Sequence, residues 1–355
     1  MKKYLLCGLA AFTCFTAAAQ TQGPGLKALE SAARAEGKVV SLGMPDGWAN
    51  WRDTWADLQR LYGLSHVDTD MNSAEEIAKI EAERSNASVD LGDVGFEFGE
   101  IAKLRGITLA YKPTTWAQIP AWAKDPDGHW AVAYTGTIAF AVNTKRFPNP
   151  PRSWKALFAG TPKGAYRVLI GEVGRAAQAN AAVLAAAIAL GGSETQLQPA
   201  LLQFAQIARQ QRLITTNPTP ALMERGEADV FVLFDFNALS YREKIPNAGD
   251  YQIFIPSDGS VTSGYTTILN KFAPHPNAAM LTREYIFSDA GQINLARGNA
   301  RPVRIDSVKL PADVAARLID SAQYQSARAI KPALWVDEVK KLPRAWQKQV
   351  IGAGS

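Results

Sequence analysis

The chain has 355 residues, 47% of them hydrophobic and 20% charged, with a formal charge of +5. That length suits two domains, the balance is ordinary for a globular protein, and the scattered Lys and Arg exclude a basic nucleic-acid-binding run. The two cysteines, Cys7 and Cys14, both fall at the N-terminus, so residues 20–355 can form no disulfide, thiolate nucleophile or thiolate metal site.

Lys2 and Lys3 form a basic start, Tyr4 to Thr16 is mostly apolar, and Ala17 to Ala19 precede Gln20. This is the plan of a secretory signal peptide, residues 1–19, cleaved near Ala19, with an apolar run too short to span a membrane. Neither cysteine sits in a lipid-attachment box, so a free protein is expected. Removing the leader leaves a charge of +3.

After a flexible QTQGPGL start, Lys27 to Glu36 reads as an amphipathic helix stopped by Gly37, and Lys38 to Gly43 as the first strand. Trp51, Trp55, Leu58 and Leu61 recur at helical spacing. Trp48 follows Gly47 at the strand-to-helix junction, where an aromatic face can meet a ligand. Ser65 to Asp70 is a weaker strand. Ser73 with Glu76 has capping-box spacing and starts a helix; Asn72 and Ser73 therefore stand where free amides are also offered to a ligand. Ser88 to Val94 is the third strand. Asp93 and Glu97 lie at its carboxyl end among glycines that permit close backbone approach, although Asp93 also fits as the cap of a helix from Glu100.

His129 to Asn143 is a β-rich run too long for one ordinary strand. A crossing between domains, pivoting near Tyr134, Thr135, Gly136 and Thr137, explains its length. Pro148, Pro150 and Pro151 break the chain before a short helix at Ser153 to Phe158. Tyr166 to Gly171 is a strand. Glu172 and Arg175 flank the start of an Ala-rich helix whose apolar part, Asn180 to Leu190, is too short for a membrane span. Arg175 favours an anion there, Glu172 opposes one, and the two can simply pair.

Thr195 to Arg209 reads as another amphipathic helix, Ile214 to Pro220 as an edge segment and Pro220 to Gly226 as a helix. Val230 to Phe234 is short, apolar and bounded by turn signals, as in a buried strand with helices on both sheet faces. Ligands of open α/β sheets bind beyond the carboxyl ends of strands, which makes Asp235 and Asn237 candidates. Asp235 has capping of the following helix as its alternative role. Tyr251 to Pro256 is a strand, Ser257 to Gly264 a hydroxyl-rich loop, and Tyr265 to Asn270 a strand returning to the first domain. Ser263 and Tyr265 thus join the candidates. A helix over Pro276 to Ser288 is closed by Asp289 to Gln292, and at least two more helices lie in 311–349.

No G-x-S-x-G elbow, H-E-x-x-H, Walker A loop or G-x-G-x-x-G after a strand is present. His66, His129 and His275 are isolated in the sequence. A binding role without cofactor or metal is therefore expected, with a periplasmic enzyme as the alternative class.

The exported α/β chain resembles the solute-binding proteins of bacterial ABC importers, within the two-crossover group that includes ferric, polyamine, thiamine and phosphonate or sugar-phosphate binders. The likeness rests on Asp90 to Gly95, on Tyr134 to Asn143, on Gly226 to Val230, and on Asn277 to Met280 running through Ser288 to Gln292. It implies a two-lobed, type II binding-protein fold, each lobe a mainly parallel sheet flanked by helices and joined by hinge strands. It also implies a monomer that encloses a small molecule and meets a membrane permease and ATPase in the periplasm. Lobe 1 is expected over 20–135 and 265–310 and lobe 2 over 136–264, with 311–355 unassigned. No two tyrosines are adjacent, which disfavours iron. Asp93, Glu97, Glu172 and Asp235 with Trp48, Tyr134 and Tyr265 favour an organic cation such as a polyamine; a phosphonate or phosphorylated compound is the alternative, through Arg175 and the hydroxyls of 257–262.

Overall fold

The computed structural model describes residues 25–160 and 166–352; the expected signal peptide lies outside them. The chain opens with α1 (Leu26–Glu36), ended by Gly37 at φ 66°, a left-handed position that suits glycine. Then come β1 (Lys38–Leu42), α2 (Trp51–Tyr62), β2 (Ser65–Thr69), α3 (Ser73–Ala82), β3 (Leu91–Gly95) and α4 (Phe96–Leu104). β1 pairs in parallel with β2 and with β3. Connections through helices of this kind are what parallel pairing requires.

The long apolar run is one strand, β4 (Trp130–Asn143), buried over its whole length. It is long because it serves two sheets. Trp130 to Thr137 pair with β9 in the first sheet, whereas Ile138 to Val142 pair with β7 in the second. The register slips between Val132 and Tyr134, just before the exchange.

The second lobe continues with α5 (Trp154–Gly160), β5 (Val168–Leu169), α6 (Ala177–Ala189), α7 (Gln198–Arg209), β6 (Leu213–Ile214), α8 (Pro220–Glu224), β7 (Val230–Phe234), α9 (Asp235–Glu243) and β8 (Tyr251–Phe254). β5 lies parallel to β6 and β7, and β8 runs antiparallel to β4. α6 is apolar on every side and almost wholly buried, as its Ala-rich sequence suggests.

β9 (Ser260–Leu269) carries the chain back, antiparallel to both β4 and β3. Its first half occupies the stretch read above as a hydroxyl-rich loop. Thr262 and Ser263 instead face Thr137 and Gly136 in the ladder, and Ser260 donates to the Ile138 carbonyl at 2.6 Å. Distant partners override a local turn-like composition here. The chain then forms α10 (Pro276–Ile286), α11 (Asp289–Arg297), β10 (Arg301–Pro302), α12 (Ala312–Ala315), β11 (Ala327–Ala329) and α13 (Pro332–Trp346). The Asp289 to Gln292 segment is thus the start of a helix, with Ser288 Oγ accepting from the Gly291 amide, and not a closing turn.

The two-lobed α/β architecture is therefore present. The C-terminal segment fastens to the second lobe. β11 pairs with β9, Arg328 grips Glu194 with two hydrogen bonds of 2.8 and 2.9 Å, and Trp346 packs on Phe204 with ring centroids 5.5 Å apart. α13 also touches α4 of the first lobe. Among the described residues, no helix is long and apolar enough to cross a membrane, and no group of three or more His, Cys, Asp or Glu is placed to hold a metal ion.

Candidate ligand-binding cleft

A cleft of about 960 Å³ opens between the lobes. The first lobe contributes Gly43, Pro45 and Trp48 after β1, Asp70 to Ala74 and Glu76 around the start of α3, Asp93, and Glu97, Phe98 and Ile101 of α4; the second contributes Gly174 to Gln178, Asn180, Asn217, Pro218, Leu233, Asn237 and Tyr241. Tyr265 lies between them on a crossing strand. Val336, Val339, Lys340 and Pro343 of α13 border the cleft as well.

The floor is aromatic. Tyr134, fully buried on β4, stacks on Tyr265 at 5.4 Å and 11°. Trp48 meets the Tyr265 and Phe236 rings edge-on at 5.4 and 5.3 Å. The Tyr134 hydroxyl accepts from Trp48 Nε1 at 2.6 Å and donates to Asp93 Oδ2 at 2.7 Å. Tyr134 thus holds two cleft residues from beneath while not bordering the cleft itself.

Carboxylates form the first-lobe wall. Asp70, Glu76, Asp93 and Glu97 all border the cleft, and among the described residues none of them is ion-paired with Lys, Arg or His. Asp93 is 3% exposed, and its Oδ1 lies near the Trp51 indole without a hydrogen bond of good geometry to it. Burial pushes its carboxyl up to about 8, only partly offset by the Tyr134 hydroxyl and the Trp51 indole. Burial, then the neighbouring Asp93 charge, drives Glu76 well above the usual carboxylate range. Burial raises Glu97 too.

Glu76 is a residue that the sequence reading assigned to a helix cap. The cap of α3 is instead Asn72, whose Oδ1 accepts from the Glu75 amide at 3.1 Å while Glu75 Oε2 accepts from the Asn72 amide at 3.2 Å. The box therefore lies one residue earlier than expected. Ser73 is left to accept from the Gly95 amide at 2.9 Å, tying α3 to the end of β3. Glu76 turns inward into a slot made by two glycines. A Cβ on Gly43 or on Gly92 would come within 2.5 Å of its carboxylate oxygens, and Gly43 also has φ +66°. Those glycines are far apart in sequence and become neighbours only when β1 and β3 pair.

The other candidates divide. Trp48, Asn72, Ser73, Asp93, Glu97, Arg175, Asn237 and Tyr265 border the cleft. Thr135, Glu172, Asp235 and Ser263 do not. Thr135 leans toward the Arg301 carbonyl, and Ser263 is buried in the crossing ladder. Glu172 forms a loose ion pair with Arg175 at 3.6 Å, Arg175 being 86% exposed. Asp235 is turned away from the cleft. Its Oδ1 accepts from the Thr137 and Phe236 amides at 3.0 and 2.9 Å, and its Oδ2 from the Tyr324 hydroxyl at 2.5 Å. It thus clamps the crossing strand, the start of α9 and the C-terminal segment together.

A solute-binding class is what such a cleft between two lobes defines, since interdomain clefts are favoured ligand sites. The family model of bacterial extracellular solute-binding proteins matches residues 89–325, well over half of the chain. The chain belongs to that family. Solved structures share its fold at low identity. The periplasmic binding protein MotA from A. tumefaciens B6, in complex with glucopine, is 18% identical at a TM-score of 0.70, with 90% of this chain and 100% of that one covered. The periplasmic binding protein AfuA from Actinobacillus pleuropneumoniae, with fructose-6-phosphate bound, is 19% identical at 0.69, covering 88% and 98%. An ABC transporter protein from Clostridium perfringens is 18% identical at 0.66, covering 88% and 99%. A comparison with curated proteins returned no significant match.

Proposed function

We propose that this protein is the periplasmic solute-capturing component of an ABC importer. It closes its lobes on a small organic cation, a polyamine being the type case, and presents it unaltered to a membrane permease driven by an ATPase. The leader at 1–19 exports it, and it works as a monomer. The lobes divide near Thr135 and Gly136 in β4 and near Gly264 in β9, where the outward and returning strands run side by side.

The observation that carries the ligand class is Asp93. It is a buried carboxylate at the cleft that, among the described residues, pairs with no Lys, Arg or His. Asp70, Glu76 and Glu97 surround the same space. Carboxyl groups gathered at low polarity hold their protons until a cation joins them and favours the ionised form. Trp48 and Tyr265 add aromatic faces of the kind that attract ammonium groups. Hinge closure around a ligand is a standard switch for a two-lobed protein.

Calorimetry on the mature protein tests this reading. Micromolar binding is expected for members of a panel of diamines, polyamines, amino-bearing solutes and thiamine, accompanied by a higher melting temperature. Binding of organophosphates with no response to any amine would overturn it.

A further inference from the structure

We infer that the ligand is amphoteric: its cationic group meets the carboxylate wall of the first lobe, and a carboxylate on the same molecule meets the start of α6 in the second. This rests on the cation reading above and adds the opposite end of the ligand.

Four helices begin at the cleft, namely α3, α4, α6 and α9. Three carry a carboxylate in their first turn: Glu75 and Glu76 in α3, Glu97 in α4 and Asp235 in α9. In α3 and α9 amides of the first turn are also occupied by side chains, since Asn72 caps α3 and Asp235 accepts from the Phe236 amide. α6 has neither an acidic residue in its first turn nor a side-chain cap. Among the described residues, the amides of Ala177, Gln178 and Ala179 find no acceptor, the Asn180 amide being the first to do so, at the Ala176 carbonyl. A helix start left in this state offers free donors and a partial positive charge to an anion.

Two buried side chains point to a ligand independently. Asn237, on α9, is 8% exposed and borders the cleft, and its carboxamide has no partner among the described residues. Asn180 is 7% exposed; its Oδ1 accepts from the Gly174 amide at 2.7 Å, so its Nδ2 is left without an acceptor at the same cleft. Buried carboxamides are ordinarily satisfied. Two that open their free groups onto the same cleft as an uncapped helix start are explained by a ligand that supplies acceptor oxygens. Arg175 stands at the rim, loosely paired with Glu172, free to turn toward the same group.

The charge of that group follows from what lies opposite. Neutral amides and one exposed guanidinium suit a single negative charge. A second charge, as on a phosphate ester, would face Asp93 and Glu97 across the cleft, where the one cation besides Arg175 among the described lining residues is Lys340, already paired with Asp337 at 3.1 Å. A carboxylate leaves each end of the ligand against its complement.

The test is calorimetry on the full mature protein with two matched series, linear α,ω-diamines and linear ω-aminocarboxylates of three to six carbons. An aminocarboxylate is expected to bind at least tenfold tighter than the diamine of equal length. Asn237→Ala should weaken that aminocarboxylate at least tenfold and change the diamine by less than twofold. Asn237→Asp, nearly isosteric and suited to a case in which the alanine variant fails to fold, should repel the aminocarboxylate while holding the diamine. Diamines binding as tightly as their aminocarboxylate counterparts would overturn this inference and leave the cation reading standing. Organophosphates or simple carboxylates binding while neither amine series does would overturn both, as would silence from every probe.

Discussion

Trp48 and Asp93 are joined through one hydroxyl, that of Tyr134, which accepts from the indole and donates to the carboxylate. The strand that crosses between the lobes therefore positions both an aromatic face and a charge of the cleft. In Tyr134→Phe the carboxylate loses its donor and its pKa, already about 8, moves further up. At neutral pH less of it is ionised, so an organic cation should bind about tenfold more weakly, as a carboxyl that holds its proton about tenfold more firmly requires. Unchanged affinity by calorimetry would separate Asp93 from the ligand.

The same carboxylate predicts opposite pH trends for the empty and occupied protein. Asp93 titrates near 8 when folded, against about 4 in an unfolded chain. The folded state thus holds the proton more tightly. Its contribution to stability is whole below pH 4 and is lost as the pH rises toward 8; Glu76 acts in the same direction. A bound cation favours the ionised form, so its affinity should increase between pH 6 and 8 with release of protons. Melting curves with and without ligand, and calorimetry in buffers of different ionisation heat, measure both trends. A cation affinity that falls over that interval would rule the account out.

Asp235 has a structural assignment. It is held by two amides and the Tyr324 hydroxyl behind the cleft. Tyr324→Phe should lower stability by about 1–3 kcal/mol, the range for a hydrogen bond to a charged group or for a buried acceptor left unmade, with ligand affinity within twofold of the parent. Urea unfolding and calorimetry on one preparation decide it. Lost affinity with unaltered stability would put Asp235 back at the ligand.

Helix α13 should control how fast the cleft empties. Trp346 is 4% exposed and anchors the helix on Phe204, while Val336 and Val339 border the cleft. Trp346→Ala removes a side chain of a kind whose truncation costs about 3–5 kcal/mol. The expected result is a separate early unfolding step and a several-fold faster ligand off-rate in stopped-flow displacement. An unchanged off-rate beside a lost anchor would show that α13 does not gate the cleft.

The sequence carried the crossing strand well, because fourteen buried residues in one run exceed what a single small sheet needs. It also carried β7 and the Ala-rich α6, whose patterns are local. Asp235 was legible as a residue at a strand end but its direction was not, since Tyr324 arrives from a segment far along the chain. The Glu76 slot was hidden for a related reason: it is formed by Gly43 and Gly92, on two strands that meet only after folding. The hydroxyl-rich start of β9 reads as a loop because its polarity is offset by ladders from β4 on one side and β11 on the other. The contribution of α13 to the cleft has no local signal at all, as an amphipathic helix looks the same whichever surface it covers.

The pairing of β4 with β9 runs unbroken from Trp130 to Thr137 on one strand, apart from the slip after Val132, and from Ile268 to Thr262 on the other. No slack loop bears the motion in this ribbon. If the lobes open and close as proposed, the motion winds or unwinds a hydrogen-bonded pair of strands. Such a joint resists rotation as a torsion spring does, unlike a freely swinging pivot.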